Sequence, residues 1–156
     1  IGKNIMLMSQ LKTPIISFII GEGGSGGALA IAVGNRVHML KYATYSVISP
    51  EGCASILMKD SKKAHLAANA LQLTAESALQ FGVIDSIIDE PIGGAHRTPK
   101  IIAQAIKSKI LCNLEDLKQK SSHELKNERI QKYLKMGQEF IKSEAFEKPL
   151  STQENL

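Results

Sequence analysis

Up to about residue 92 the hydrophobic positions alternate between short β-branched runs and helically spaced stretches. Pro14-Ile-Ile-Ser-Phe-Ile-Ile20 is apolar, β-branched and opened by Pro, which predicts a buried strand over 14–20. Ahead of it, Ile5, Met8 and Leu11 share one helical face, so residues 1–11 read as the end of an amphipathic helix. A chain opening at Ile1 inside such a helix points to an upstream half outside this sequence. Ala28-Leu-Ala-Ile-Ala32 predicts a packed helix over 26–33, closed near Gly34. Short strands follow near 37–40 and 45–49. Ser49-Pro50-Glu51 opens another helix, with Ser as N-cap, Pro in the first position and an acid in the first turn. A helix near 62–72 follows Asp60-Ser61. Thr74 to Phe81 is a compact helix capped by Thr74 and stopped by Gly82, and residues 83–88 read as a strand. Strands alternating with helices predict an α/β fold.

From Thr98 the spacing is helical throughout. Thr98-Pro99 caps a helix with Ile101, Ile102, Ala105, Ile106 and Ile110 on one face. Ser121-x-x-Glu124 is a capping box opening a second helix, with Ile130, Tyr133, Leu134 and Phe140 toward one side. These apolar faces need cover, from a partner subunit or from the chain's own core. The organisation is a partial α/β core over 1–97, a helical region over 98–146 and a disordered tail over 147–156.

Between the first strand and the second helix lies Gly21-Glu22-Gly23-Gly24-Ser25-Gly26-Gly27, read as a turn. A strand feeding a glycine turn feeding a helix leaves backbone N–H groups unpaired, facing any negative charge above them. Without Cβ atoms the main chain is open to close approach by a ligand. A P-loop is excluded, because no Lys-Ser or Lys-Thr follows the last glycine. Gly21, Gly23 and Gly26 fit the dinucleotide fingerprint G-x-G-x-x-G, but Gly23 to Pro50 contains no Asp or Glu to hold a ribose hydroxyl. The competing reading is a turn whose glycines serve strand–helix packing alone.

Composition narrows the remaining classes. The chain suits one domain, and 44% hydrophobic residues suffice for a sizeable core. Aromatic residues make up 4%, too few for stacking on nucleic-acid bases, and the net charge of +4 is diluted along the helical tail. Cys53 and Cys112 form no CxxC pair, which points to a reducing compartment and no metal site in this chain. No apolar run is long enough for a membrane span, and no signal peptide is present.

Several segments together resemble a known family. Ile20-Gly-Glu-Gly-Gly-Ser-Gly-Gly-Ala-Leu-Ala30, Tyr45 through Leu57, Ile84-Asp-Ser-Ile-Ile88 and Pro91-Ile-Gly-Gly-Ala-His-Arg97 are similar to the α subunits of the carboxyltransferase component of bacterial-type acetyl-CoA carboxylase, from about Thr13 to about Gly137. The resemblance implies the second half of a crotonase-like ββα spiral. It implies transfer of a carboxyl group from carboxybiotin, borne on a biotin carboxyl carrier protein, to acetyl-CoA, giving malonyl-CoA for fatty acid synthesis. Implied partners are a β subunit that binds the CoA thioester and carries zinc, in an α2β2 assembly, and a biotin carboxylase. The family occurs in bacterial cytoplasm and in plastids. By position in the crotonase pattern, the N–H groups of Gly26 and Gly27 form the oxyanion hole for the biotin ureido oxygen, with Gly23, Gly24, Ser25 and Arg97 as further biotin- or substrate-binding candidates.

Other polar residues have plainer readings. Glu51 stands where crotonase-type hydratases place an acid, yet the first turn of a helix favours an anion for structural reasons alone. The second hydratase acid falls at Leu29, which carries no proton. His96 and Arg97 suit a carboxylate or a CoA phosphate, or Arg97 an ion pair with a neighbouring acid. His38 reads as a packed histidine, and His65 and His123 as surface helix positions. An acyl-CoA hydratase or isomerase and a non-catalytic scaffold subunit are the competing functions.

Overall fold

The computed structural model describes residues 1–138. The expectations for Phe140 and for the tail over 147–156 lie outside the described residues. The element order is α1 (Gly2–Ser9), β1 (Ile16–Ile19), β2 (Glu22–Gly24), α2 (Ser25–Ile31), β3 (Arg36–Leu40), β4 (Thr44–Ser46), α3 (Pro50–Leu57), α4 (Ala64–Leu71), α5 (Ala75–Gln80), β5 (Ser86–Ile88), α6 (Pro99–Leu117) and α7 (Ser122–Lys135). Single 3-10 turns sit at Ser61–Lys63 and Ala95–Arg97.

The strands form two parallel sheets. One has the order β1-β3-β5, with Ile16 opposite Arg36 and His38 opposite Ser86. The other pairs β2 with β4, Gly23 lying opposite Tyr45. The sequence predicts the strands of the first sheet and also β4, but reads the glycine segment as an uninterrupted turn. The structure corrects this: Glu22–Gly24 is itself a strand. Glycine-rich sequence carries no strand propensity, so only its tertiary partner Thr44–Ser46 makes it one.

Val37, Met39 and Leu40 of β3 fill the centre of the main core, with Ile19, Ile84, Ile88 and Ile102 around them. A smaller cluster of Cys53, Ala54 and Ala67 joins α3 to α4. Ile102, Ala105 and Ile106 of α6 pack on the main core, so this face is covered by the chain itself. Ile101 points away and is exposed. The expected Thr98 cap is absent: its side chain makes no capping bond and its buried Oγ1 has no partner, because Thr98 adopts φ −137°, ψ 59° rather than a capping conformation. The other caps form as read: Ser49 accepts from Gly52 N–H, Thr74 from Ser77 N–H, and Ser121 and Glu124 make the reciprocal box.

Helix α7 is held by polar contacts as much as by apolar ones. Its inward row is Leu125, Arg129 and Tyr133, whereas Leu134 is exposed. Arg129 is fully buried and donates to the carbonyls of Met8 (2.7 Å), Leu11 (3.0 Å) and Thr13 (2.8 Å) and to Asn35 Oδ1 (2.9 Å). Asn35 Nδ2 in turn donates to the Leu125 carbonyl at 2.8 Å. Nearby, Arg36 and Lys120 both pair with Asp116 and Glu128. Burial opposes ionisation of Glu128, but these cations hold its carboxyl below the usual range.

Candidate active site

Strand β2 ends at Gly24, and α2 begins at once with Ser25. Gly24 is the N-cap, so the N–H groups of Ser25, Gly26 and Gly27 precede the first i to i−4 bond and have no acceptor within the helix. Ser25 turns the chain with a φ of +57°, a left-handed backbone that costs a non-glycine residue about 1–2 kcal/mol. Nothing in the sequence signals that strain, since serine has no special tolerance of this conformation.

The glycines of the segment divide into two kinds. A Cβ on Gly23 would meet Tyr45 Cδ2 at 3.3 Å and Ile19 Cγ2 at 3.4 Å, so Gly23 is required by packing of the chain on itself. Among the described residues a Cβ on Gly21, Gly24 or Gly27 would meet nothing within 4 Å, and one on Gly26 only Ile1, at 3.8 Å. None of the five has a positive φ. Among the described residues the packing explanation therefore covers Gly23 and not the other four.

Beside Gly26 lies an open cleft of about 470 Å³, mostly apolar. Ser25, Gly26, Leu29 and Tyr45 line one part, and Val47, Leu71 and Val83 contribute apolar walls. Among the described residues no Asp, Glu, His or Lys lines it, and burial raises the Tyr45 phenol above its ordinary pKa. What the arrangement offers chemically is the helix-start backbone at Ser25 and Gly26 beside an apolar cleft with no carboxylate or imidazole among its described lining residues; Gly23, Gly24 and Gly27 lie in the same segment but do not line the cleft.

The other candidates are spread over the fold. Gly93 and Gly94 have φ of +95° and +90°, and a Cβ on Gly93 would strike Arg97 Cδ at 2.7 Å. Arg97 is exposed and does not line the cleft at Gly26. The proposed ion pair is absent among the described residues: the nearby Glu90 carboxylate instead accepts the N–H groups of Tyr42 (2.7 Å) and Ala95 (2.8 Å). Glu51 is exposed in the first turn of α3, and its side chain has no hydrogen-bond partner among the described residues. His38 is buried, with Nδ1 at 2.8 Å from Ser86 Oγ and Nε2 unpartnered. Burial, reinforced by Lys109, lowers its pKa to about 4, so it is a neutral packed histidine at pH 7. His65 and His123 lie at exposed helix positions. Among the described residues no cluster suits a metal ion.

Sequence reasoning missed the polar support behind the site. Ser17 Oγ donates to the Ile31 carbonyl at 2.8 Å, and the Tyr133 hydroxyl donates to the Ala32 carbonyl while accepting from Gly34 N–H at 3.0 Å. Arg129 was missed as well: the only sequence signal is its helical spacing between Leu125 and Tyr133, where a cation reads as facing solvent.

Residues 1–137 match the protein family described as acetyl co-enzyme A carboxylase carboxyltransferase-like. The acetyl-coenzyme A carboxylase carboxyl transferase subunits alpha of Cronobacter sakazakii and Escherichia coli K12 are each 53% identical over 137 residues, covering 88% of this chain and 43% of those proteins. That of Salmonella arizonae is 54% identical over the same span. The chain thus spans less than half the length of these curated relatives. A crystal structure of transcarboxylase 12S, with methylmalonyl-coenzyme A and methylmalonic acid bound, superposes with a TM-score of 0.61 at 21% identity, covering 76% of this chain and 22% of that one. This likeness shows that the chain shares its α/β fold with part of that protein.

Proposed function

Because the chain belongs to the acetyl-coenzyme A carboxylase carboxyltransferase-like family, we propose that it forms part of a carboxyltransferase α subunit that moves a carboxyl group from carboxybiotin to acetyl-CoA, giving malonyl-CoA. On this reading the partners are a zinc-bearing β subunit that holds the CoA thioester, a biotin carboxyl carrier protein and a biotin carboxylase. The compartment is the bacterial cytoplasm, in keeping with the bacterial relatives; among the described residues no helix is long and apolar enough to cross a membrane.

Carboxybiotin supplies the transferable carboxyl group, and negative charge develops on its ureido oxygen as that group departs. The N–H groups of Gly26 and Gly27 are the oxyanion donors, held in place before the reaction begins. One such donor is worth ~3–4 kcal/mol of transition-state stabilisation. The left-handed Ser25 backbone aims the two N–H groups, Gly23 fixes the segment against Tyr45, and Gly24 keeps the approach open. Leu29 and Val47 are exposed apolar side chains beside the donors, available to cover a bound ligand. The biotin anion left when the carboxyl group departs would take the proton lost from the acetyl methyl, so the step would balance without a protein base; no acid or imidazole is among the described residues lining the cleft.

The observation that carries the proposal is the unfilled space at Gly24 and Gly27 and the near-empty space at Gly26. Glycine in a helix costs ~1 kcal/mol relative to Ala, which applies to Gly26 and Gly27, and packing among the described residues asks for neither, nor for Gly24 at the N-cap. Close approach by a ligand supplies the missing reason.

The test is carboxylation of free biotin with malonyl-CoA as donor, using the complete α subunit assembled with the β subunit. Formation of carboxybiotin and acetyl-CoA is the expected result. No transfer by an intact assembly would leave a scaffold role. Hydration of crotonyl-CoA in place of transfer would favour the hydratase reading, against which Leu29 stands at the position of the second acid.

A further inference from the structure

Helix α2 has seven residues and is therefore about 10 Å long. Its first turn presents the glycine donors, and its far end is fastened by two hydroxyl groups from elements remote in sequence. Ser17 of β1 donates to the Ile31 carbonyl at 2.8 Å. Tyr133 of α7 donates to the Ala32 carbonyl and accepts from Gly34 N–H at 3.0 Å. The 32–34 segment has no slack: a Cβ on Gly34 would come within 3.0 Å of the Ile15 carbonyl and 3.2 Å of the Arg36 carbonyl. No residue of α2 is fully buried, so apolar burial does little to fix its axis.

We propose that Tyr133 is a positioning residue for carboxyl transfer, its hydroxyl clamping the C-terminal end of α2 so that the Gly26 and Gly27 N–H groups hold their aim. This rests on the reading of those donors given above. On so short a helix a tilt of about 5° at the clamp displaces the first turn by about 1 Å. Misplacement of that size costs on the order of 10²-fold in rate. The phenol is half-buried, and burial raises its pKa, so the hydroxyl stays protonated and able to donate at neutral pH. Ser17 remains as the second fastening, which makes the expected loss smaller than complete release.

The experiment compares three variants of the complete α subunit, each assembled with the β subunit and assayed by free-biotin carboxylation at matched folded concentration. Tyr133→Phe removes only the hydroxyl. Ser121→Ala removes the α7 cap and destabilises the same helix without touching α2. Gly27→Val tests the donors themselves. The expected result is that Y133F lowers kcat about tenfold or more with KM for malonyl-CoA and biotin changed less than about threefold, whereas S121A leaves kcat near wild type. Adding Ser17→Ala to Y133F deepens the kcat loss. If Y133F keeps wild-type kcat while G27V is inactive, the positioning role is overturned and the donor reading stands. Equal kcat losses in Y133F and S121A reduce the effect to stability and also overturn the role. An active G27V removes the donors, and the clamp's purpose with them.

Discussion

Replacement of Arg129 by Met keeps a long apolar stem and removes the guanidinium from a site with no access to water. The residue is 0% exposed, and four of its acceptors lie at 2.7–3.0 Å: the carbonyls of Met8, Leu11 and Thr13, and Asn35 Oδ1. A hydrogen bond to a charged group contributes about 1.5–3 kcal/mol. Four would sum to about 6–12 kcal/mol, from which burial of the cation subtracts several kcal/mol. A loss of about 3–5 kcal/mol is therefore expected for the variant, which strips the Leu11 and Thr13 carbonyls of the donor Arg129 supplies and leaves Met8 and Asn35 only their backbone donors. The loss should be local first. Helix α1 has no fully buried residue of its own, and Arg129 fastens its C-terminal end through the Met8 carbonyl. Hydrogen exchange in the complete subunit should show the α1 amides losing protection by about 10²-fold or more, as 1.4 kcal/mol corresponds to a factor of ten. The amides of β3 should change far less. Protection of α1 within threefold of wild type would refute the assignment of Arg129 as its tether.

Two further outcomes follow from single residues. Ser25→Gly should stabilise the fold by about 0.5–1 kcal/mol, because relief of the left-handed strain exceeds the entropy cost of glycine; a lower melting temperature would show that the Ser25 side chain holds the turn. His38 makes stability depend on acidity: its pKa falls from 6.5 to about 4 on folding, so the unfolded chain binds the proton more readily and the contribution is complete above pH 6.5 and lost as pH drops toward 4. Wild type should lose up to about 3 kcal/mol more than His38→Gln over that window, and parallel pH–stability curves would contradict it.

Much of the fold could be read from local pattern because the signals are short-range. Ser49-Pro50, Thr74 with Gly82, and Ser121 with Glu124 each satisfy helix ends within four residues, and all formed. The glycine segment was legible as a place where a strand meets a helix start, which is what positions the donors. What escaped depends on residues far apart in sequence. Strand β2 exists because Thr44–Ser46 lies beside it, and the exposed Ile101 reflects where the core sits relative to α6. Arg129 was hidden because its partners are carbonyls from 116 to 121 residues away, which leave no mark in sequence. Arg97, plausible as an ion-pair partner, has its nearby acid Glu90 already committed to backbone N–H groups.

The central claim is that the first turn of α2 is open so that its N–H groups can meet a developing oxyanion. The most direct measurement is turnover of the complete assembly carrying Gly27→Val. A Cβ there meets nothing within 4 Å among the described residues, so this part of the subunit should fold as wild type, and assembly is checked alongside turnover. Carboxyl transfer should nevertheless fall by about 10²–10³-fold, the loss expected when one oxyanion donor is denied its ligand. An assembled Gly27→Val enzyme with near wild-type turnover would contradict the account.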